Sequence, residues 1–541
     1  MAKRFISIFF IVLAIALFLI VGFVMLLFLA PGFSAFGLRY IAFGTRRFDS
    51  GNLTISDEIG SFNGNVILET KEIPVYVCYS QGYDIEIRYY ENFSGLTKSK
   101  IENPSIDVTK DDNGNAVVKI NEYEKFIFQN ANTEKYVKLY IPLGQVYSSG
   151  SSAYKTDITL NLGKSNLVFE KDEGGPDGDL RVPTHRNITV RTDGKVSYKA
   201  EVRAKKFTYE TDNSIEIGEG KLESINAEDY NLKSGGRITI ERDVTGDVTA
   251  ETNNRNLKLV GCKNLYAKTG HGHVLPYKDE TPIDVFGIVK IETKTGNVVL
   301  GEVRGNGQNS IKTGSGNVTI KKIKDGEIIT KRGSVKVNSV RDMYIETSMG
   351  KVIVEEALSR IKVYSHRGKI TVGGEGMTVA NPSLESRLGK VSLTSATGTV
   401  FLKTSKADID FVNTNSANIT IYSGGKTSAV GLEGVVHVET TKDAYLKFNK
   451  ISGDAKVILY DQCKSLTLYA VNDNASETRY ILSGQSVTMY EDDLTDDVAA
   501  YKMDTQPEFT NKVNASGPLL DVTGKNAIIS AYFKIENSVV S

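Results

Sequence analysis

Tryptophan is absent from this chain, and cysteine is nearly so. Cys78, Cys262 and Cys463 are too few and too scattered for a disulfide framework or a zinc knuckle, so each reads as a small buried apolar residue. Net charge is missing as well: 65 Lys plus Arg balance 65 Asp plus Glu, which leaves no overall field to draw in nucleic acid. Any electrostatic partner must be met by a local patch. Proline is sparse at 11, whereas Gly (49), Tyr (26) and Phe (22) are plentiful. That balance disfavours collagen-like and helix-rich classes and suits many short strands joined by glycine turns. No Walker loop, HExxH, nucleophile elbow or Rossmann fingerprint occurs, and no cofactor is expected.

The clearest feature that is present opens the chain. From Phe5 to Ala30 the sequence is apolar and uncharged, with Lys3 and Arg4 just before it. This run is long enough to span a bilayer, exceeds an ordinary signal-peptide core, and is followed by no A-x-A-like cleavage site. It predicts an uncleaved single-pass anchor over residues 1–31, with the lipid bilayer as partner of residues 5–30. Lys3 and Arg4 are opposed by Arg39, Arg46 and Arg47, so charge barely sets the orientation. An N-terminal signal-anchor exports the chain beyond it, which places the N-terminus in the cytoplasm and the remainder outside. Residues 32–50 mix aromatics with arginines, as a juxtamembrane linker at the headgroup level would.

An internal repeat occupies the middle. The segments IKTGSGNVTIKKIKDGE, IITKRGSVKVNSVRDM and IETSMGKVIVEEAL align so that Thr313, Thr330 and Thr347 step by 17, as do Val318, Val335 and Val352, and Ile320, Val337 and Val354. Gly316, Gly333 and Gly350 mark the turns, and the series extends to Gly296, Gly368 and Gly389. Alternation sends Val318 and Ile320 to one face and Thr319 to the other. The fold predicted is an all-β, right-handed parallel β-helix or solenoid with coils of about 17–21 residues, in which neighbouring coils lie about 4.8 Å apart. A lone coil buries four or five aliphatics worth roughly 1.5–3 kcal/mol each. Ordering its residues costs about 1.5 kcal/mol apiece, so coils fold only when stacked.

This grammar covers residues 185–480. Residues 51–170 have longer, tyrosine-rich strands, read either as irregular first coils or as a small β-sandwich cap. The stretch 171–184 contains KDEGGPDGD and reads as a loop. Residues 481–541 read as C-terminal coils and a cap, with a short helix near residue 500 and strand grammar again in LLDVTGKNAIISAYFKI.

The repeated (I/V)-x-T-x-x-G-x-V-x-V unit, preceded by the strand KLYIPLG, resembles a bacterial family of conjectured adhesins, the domain-of-unknown-function 4097 type. The resemblance covers residue 50 to the end and rests on a structural pattern. It implies a right-handed β-solenoid, surface exposure, often an N-terminal membrane segment, and no catalytic residues. The function expected is a non-enzymatic surface interaction module. A cell-envelope scaffold or envelope-stress sensor is implied by the same resemblance, and a polysaccharide lyase or glycosidase is the remote third reading.

That third reading rests on Gly270-His271-Gly272 and Arg360-Ile361-Lys362, which resemble the GHG and RIK motifs of pectin-cleaving glycosidases. Such enzymes also need acid and base carboxylates ahead of the GHG, and these are missing from the preceding coils, so no hydrolysis chemistry is expected. His271 and His273 flank one glycine without a supporting ligand set, and the acidic run Glu491 to Asp497 lacks a calcium-loop spacing, so no metal site is expected. The tyrosine-rich segment with Tyr76, Tyr79, Tyr83, Tyr89 and Tyr90 is a weaker sugar-stacking candidate, outweighed by sheet packing.

One surface candidate remains, because stacked coils also stack their turns. Lys331, Arg332, Lys351, Arg367, Lys369, Arg387 and Lys390, with His366 among them, flank the glycine series. They are expected to form a basic ridge that binds a cell-envelope polyanion or an acidic glycan; for the module as a whole the partners expected are a cell-envelope polymer, a glycan or a surface protein, and no nucleic acid. Oligomeric state is not legible in the sequence.

Overall fold

The computed structural model describes residues 11–22, 41–80, 84–98, 104–121, 128–129, 134–142, 156–170, 184–199, 202–218, 225–279, 281–472, 479–491, 501–510 and 518–535. Within them the chain is overwhelmingly β and divides into two compact units, residues 1–202 and 203–541.

Residues 11–22 are helical, and Ile11, Leu13, Leu17 and Phe18 on that helix are exposed. The expected span of residues 5–30 extends past these described residues on both sides. Among the described residues no helix is long and apolar enough to cross a membrane.

The first unit builds parallel coils from strands Val66–Glu69, Asp157–Gly163 and Thr184–Thr192, and from Val75–Ser80, Leu167–Phe169 and Val196–Tyr198. Antiparallel strands extend these sheets on one side. Ile41–Asp49 pairs Glu86–Lys98, which pairs Glu134–Pro142, and Ser105–Lys110 forms a hairpin with Ala116–Asn121. Antiparallel strands of this kind shield a sheet edge from open-ended pairing. The expected loop falls almost wholly on residues 171–183, outside the described residues.

The second unit is a parallel solenoid in the register the repeat predicts. Val318 pairs Val335 and Val335 pairs Val352, while Ile320, Val337 and Val354 stack beside them, all buried. A third inward column runs Ile311, Ile328, Ile345, Val363, Leu384 and Leu402. Like side chains stack on like because each coil repeats the backbone path of the last, and the interior fills with aliphatics. Coil length reaches 24 residues from Thr269 to Thr293, beyond the expected range, because residues 277–283 are inserted between Val274–Pro276 and Asp284–Val285, which still takes its place in the ladder on Gly261 and Cys262. All three cysteines are buried, and burial pushes the Cys262 thiol up to about 12.

The C-terminal end does not follow sequence order. Strand Leu519–Ile535 lies between the coil formed by Ala455–Leu459 and Ser465–Asn472 and the strand Arg479–Glu491, pairing in parallel with both. Tyr469, Tyr532 and Tyr490 stack across that insertion at 4.6 and 4.5 Å. Instead of the helix expected near residue 500, Tyr501–Thr510 is a strand antiparallel to Arg479–Glu491, and residues 492–500 lie outside the described residues. A strand there can use the open ladder of Arg479–Glu491, which a helix cannot.

Candidate functional site

Twelve successive coils of the second unit turn at a buried hydroxyl. Ser234, Thr252, Thr269, Thr293, Thr313, Thr330, Thr347, Ser365, Ser386, Thr404, Ser423 and Thr440 stand in register on successive coils, every one buried. The hydroxyls of Thr269, Thr293, Thr313 and Thr330 donate to the carbonyls of Gly272, Gly296, Gly316 and Gly333 at 2.6 to 2.9 Å. This bond satisfies a buried hydroxyl and closes the turn. The glycine is required by the neighbouring coil. A Cβ at Gly316, Gly333, Gly350 or Gly368 would lie 1.7 to 1.8 Å from the carbonyl oxygen of the preceding glycine in the stack.

The residue just before the strand that follows each turn forms a second ladder. The side chain of Asn256 accepts the His273 N–H, His273 Nδ1 accepts the Asn297 N–H, and Asn297 Oδ1 accepts the Asn317 N–H, at 3.0, 2.8 and 2.9 Å. Asn317 Oδ1 then accepts the Ser334 N–H at 2.8 Å, and Ser334 Oγ the Lys351 N–H at 3.3 Å. At the next three coils the position is held by Lys351, Lys369 and Lys390, whose ammonium groups offer no acceptor. The ladder resumes at Asp408, which accepts the Lys426 N–H at 2.8 Å. The sequence thus gives up the same favourable contact on three consecutive coils and sets a cation there each time.

The remaining cations lie on the same turns. Lys331, His366 and Arg387 follow the corner hydroxyls of Thr330, Ser365 and Ser386, and Arg332 and Arg367 come next. Lys331, Arg332, Lys351, Arg367, Lys369 and Arg387 are exposed; His366 and Lys390 are half-buried. The structure therefore brings all seven predicted ridge residues together on four successive turns.

Their pairing sets them apart from the charges on the flat strand faces. There, cations meet carboxylates on neighbouring coils: Lys312 with Glu327, Lys336 with Glu355, Arg341 with Asp325 and Arg360 with Asp342. Among the described residues only Lys390 of the ridge has an ion-pair partner, Asp410. Stacked like charges about 4.8 Å apart, most of them with no internal counter-ion among the described residues, favour an anion supplied from outside.

Sequence reasoning missed two parts of this edge. Met349 and Leu388 occupy the same turn position as Arg332 and Arg367 and are 52% and 41% exposed, and Lys406 extends that column. The acceptor ladder was also missed, although its signal is visible in the Asn and Ser that follow the turn glycines before the first valine.

The tempting glycosidase motifs do not meet. Ala267 and Val363 are separated by five steps of strand pairing, so the GHG and RIK tripeptides stand roughly 24 Å apart along the stack. His273 is used by the acceptor ladder, and His271 Nδ1 is 3.0 Å from Thr295 Oγ1. Arg360 grips Asp342 with two hydrogen bonds at 3.1 and 2.9 Å, and Ile361 is buried. Among the described residues no group of three His, Cys, Asp or Glu could hold a metal ion. Glu491 to Asp497 falls almost wholly outside them.

In the tyrosine-rich segment, Tyr89 and Tyr79 are buried. Tyr76 and Tyr90 pack on Tyr136 at 5.9 and 5.1 Å, and Tyr83 lies outside the described residues. Most of these rings serve sheet packing.

Residues 238–476 match the family described as Toastrack DUF4097, a domain of unknown function. No curated protein and no solved structure matches the chain.

Proposed function

From that family match over the solenoid as premise, we propose that the chain is a non-catalytic interaction module of the cell envelope. Its N-terminal apolar segment anchors it in the membrane, its solenoid stands outside the cytoplasm, and its basic turn edge docks on an anionic polymer or acidic glycan. The observation that carries this reading is the replacement of acceptor side chains by Lys351, Lys369 and Lys390 on three consecutive coils. A position that breaks a local structural rule repeatedly, and always with the same chemistry, is where selection for binding is expected to show. The absence of internal counter-charges along most of the described edge supports the same reading.

The test is retention of the full chain on immobilised polygalacturonate and on a glycerol-phosphate polymer over a salt series. Replacing Arg332, Arg367 and Lys369 together by Ala should weaken retention by about tenfold or more, with the difference shrinking as salt rises. Equal retention of the variant and the parent on both matrices sinks the proposal.

A further inference from the structure

The outward face of the strand that leads into each corner carries a separate cluster near the C-terminal end of the stack. Strands Val391–Thr404, Ile409–Ser423 and Val435–Thr440 are parallel there. Phe401 is in register with Thr420 and His437, and Lys403 with Tyr422 and Glu439. The Tyr422 ring leans between its neighbours, 5.9 Å from Phe401 and 5.6 Å from His437, each at 58°. All three rings are half-exposed.

A polar chain ends this row. His437 Nε2 is 2.9 Å from Glu439 Oε1, and the other Glu439 oxygen accepts the Tyr460 hydroxyl. The Tyr460 hydroxyl and then the His437 imidazole hold the Glu439 carboxyl below its usual range, so it stays ionised. An ionised carboxylate can only accept, so in the neutral imidazole the proton sits on Nε2 and Nδ1 is the acceptor. Tyr460 is 47% exposed, and Lys456, in register with His437, is exposed as well.

We propose that this cluster is a sugar-binding subsite: the apolar face of a pyranose ring lies on Tyr422 and Phe401, and a hydroxyl or acetamido N–H of the same sugar donates to His437 Nδ1. Aromatic faces bounded by a few oriented polar groups are what a sugar needs, since its ring has an apolar face and a rim of hydroxyls. Packing between cross-strand rings accounts for the aromatic contacts alone. It gives no role to the chain Tyr460, Glu439 and His437, which fixes a tautomer and orients one acceptor along the row. This subsite uses none of the ridge residues, and its affinity depends on stacking and neutral hydrogen bonds, so it stands or falls apart from the proposed ridge.

Titration of the full chain with chitotetraose, cellotetraose and tetragalacturonate, monitored by calorimetry, tests it. At least one of the three should bind saturably and with little dependence on salt. Tyr422→Ala should abolish that binding. His437→Phe keeps a ring in place but removes the acceptor, and should weaken binding about tenfold, the effect of losing one hydrogen bond. The Arg332, Arg367 and Lys369 triple variant should bind like the parent. Circular dichroism of each variant separates loss of binding from loss of fold, and Phe401→Leu, which removes the second stacking ring and should weaken binding, is the probe of the same face should Tyr422→Ala unfold. No saturable binding of any of the three sugars overturns the subsite, as does binding that survives Tyr422→Ala in a folded variant. Binding lost with the ridge variant but kept in Tyr422→Ala overturns the subsite and leaves the ridge standing.

Discussion

The Thr330 hydroxyl donates to the Gly333 carbonyl at 2.6 Å, and Gly333 in turn sits so close to the preceding coil that a Cβ would fall 1.8 Å from Gly316 O. Hydroxyl and glycine are thus one device: the first closes the turn, and the second lets the closed turns stack at the ladder spacing.

Gly333→Ala is expected to force the two coils apart and to destabilise the middle of the solenoid by at least about 1–3 kcal/mol. Gly374→Ala is the control, because its nearest neighbour, Met377 Cγ, would be 3.5 Å away. Hydrogen exchange across residues 310–370 should report the difference locally, since a stack of coils need not unfold as one unit.

Thr330→Val keeps the shape of the side chain and removes the donor to Gly333. A loss of about 1–3 kcal/mol is expected from the carbonyl left without it in the buried corner, while Thr330→Ser should stay near the parent. Urea unfolding monitored by limited proteolysis at the turn distinguishes the two.

Lys351→Asn and Lys369→Asn should restore the interrupted acceptor ladder, each offering Oδ1 to the next coil's N–H as Asn297 and Asn317 do. Each is expected to stabilise the solenoid by about 0.5–1.5 kcal/mol. Both should weaken salt-sensitive retention on anionic polymers. A thermal melt of the double variant beside a binding series reads both directions at once, and a destabilised variant contradicts the ladder argument.

His185 is fully buried in the first unit, with Nδ1 3.0 Å from Thr156 Oγ1 and Nε2 3.1 Å from the Tyr79 hydroxyl. Burial pulls its imidazole down to about 4 from an ordinary value of 6.5. The unfolded chain therefore takes up a proton below pH 6.5 that the folded chain refuses until about pH 4. The stability this group contributes is complete above pH 6.5 and lost as pH falls toward 4, by about 3 kcal/mol in total. His185→Gln should show a shallower loss than the parent over that window in urea titrations at fixed pH.

Leu13→Arg with Leu17→Arg places two charges one helical turn apart on the exposed helix of residues 11–22. At roughly 2.5–3.5 kcal/mol per buried arginine, the pair should move the full chain from the carbonate-resistant membrane pellet to the soluble fraction. Recovery of the parent chain itself in the soluble fraction would count against the proposed anchor.

The inward columns were legible because both of their causes are local. Period-two alternation sorts Val318 from Thr319 within one strand, and the 17-residue step places Val335 over Val318 without reference to distant chain. The seven cations were legible for the same reason, since turns stack when coils do. What those turns lacked could not be read. That Lys351, Lys369 and Lys390 stand where Asn297, Asn317 and Ser334 accept hydrogen bonds depends on a bond made by the next coil's backbone. Two motifs in the right order suggested a shared site, yet their separation is set by the five pairing steps between them. Sequence order also could not place Leu519–Ile535 ahead of Arg479–Glu491 in the stack, nor bring Tyr460 to Glu439. The repeat by itself determined that the chain coils and which side chains face inward, because strand geometry repeats every two residues and every coil. Only the tertiary structure decided which strand ends the stack and which polar groups meet on its surface, because those contacts join residues whose spacing in sequence carries no period.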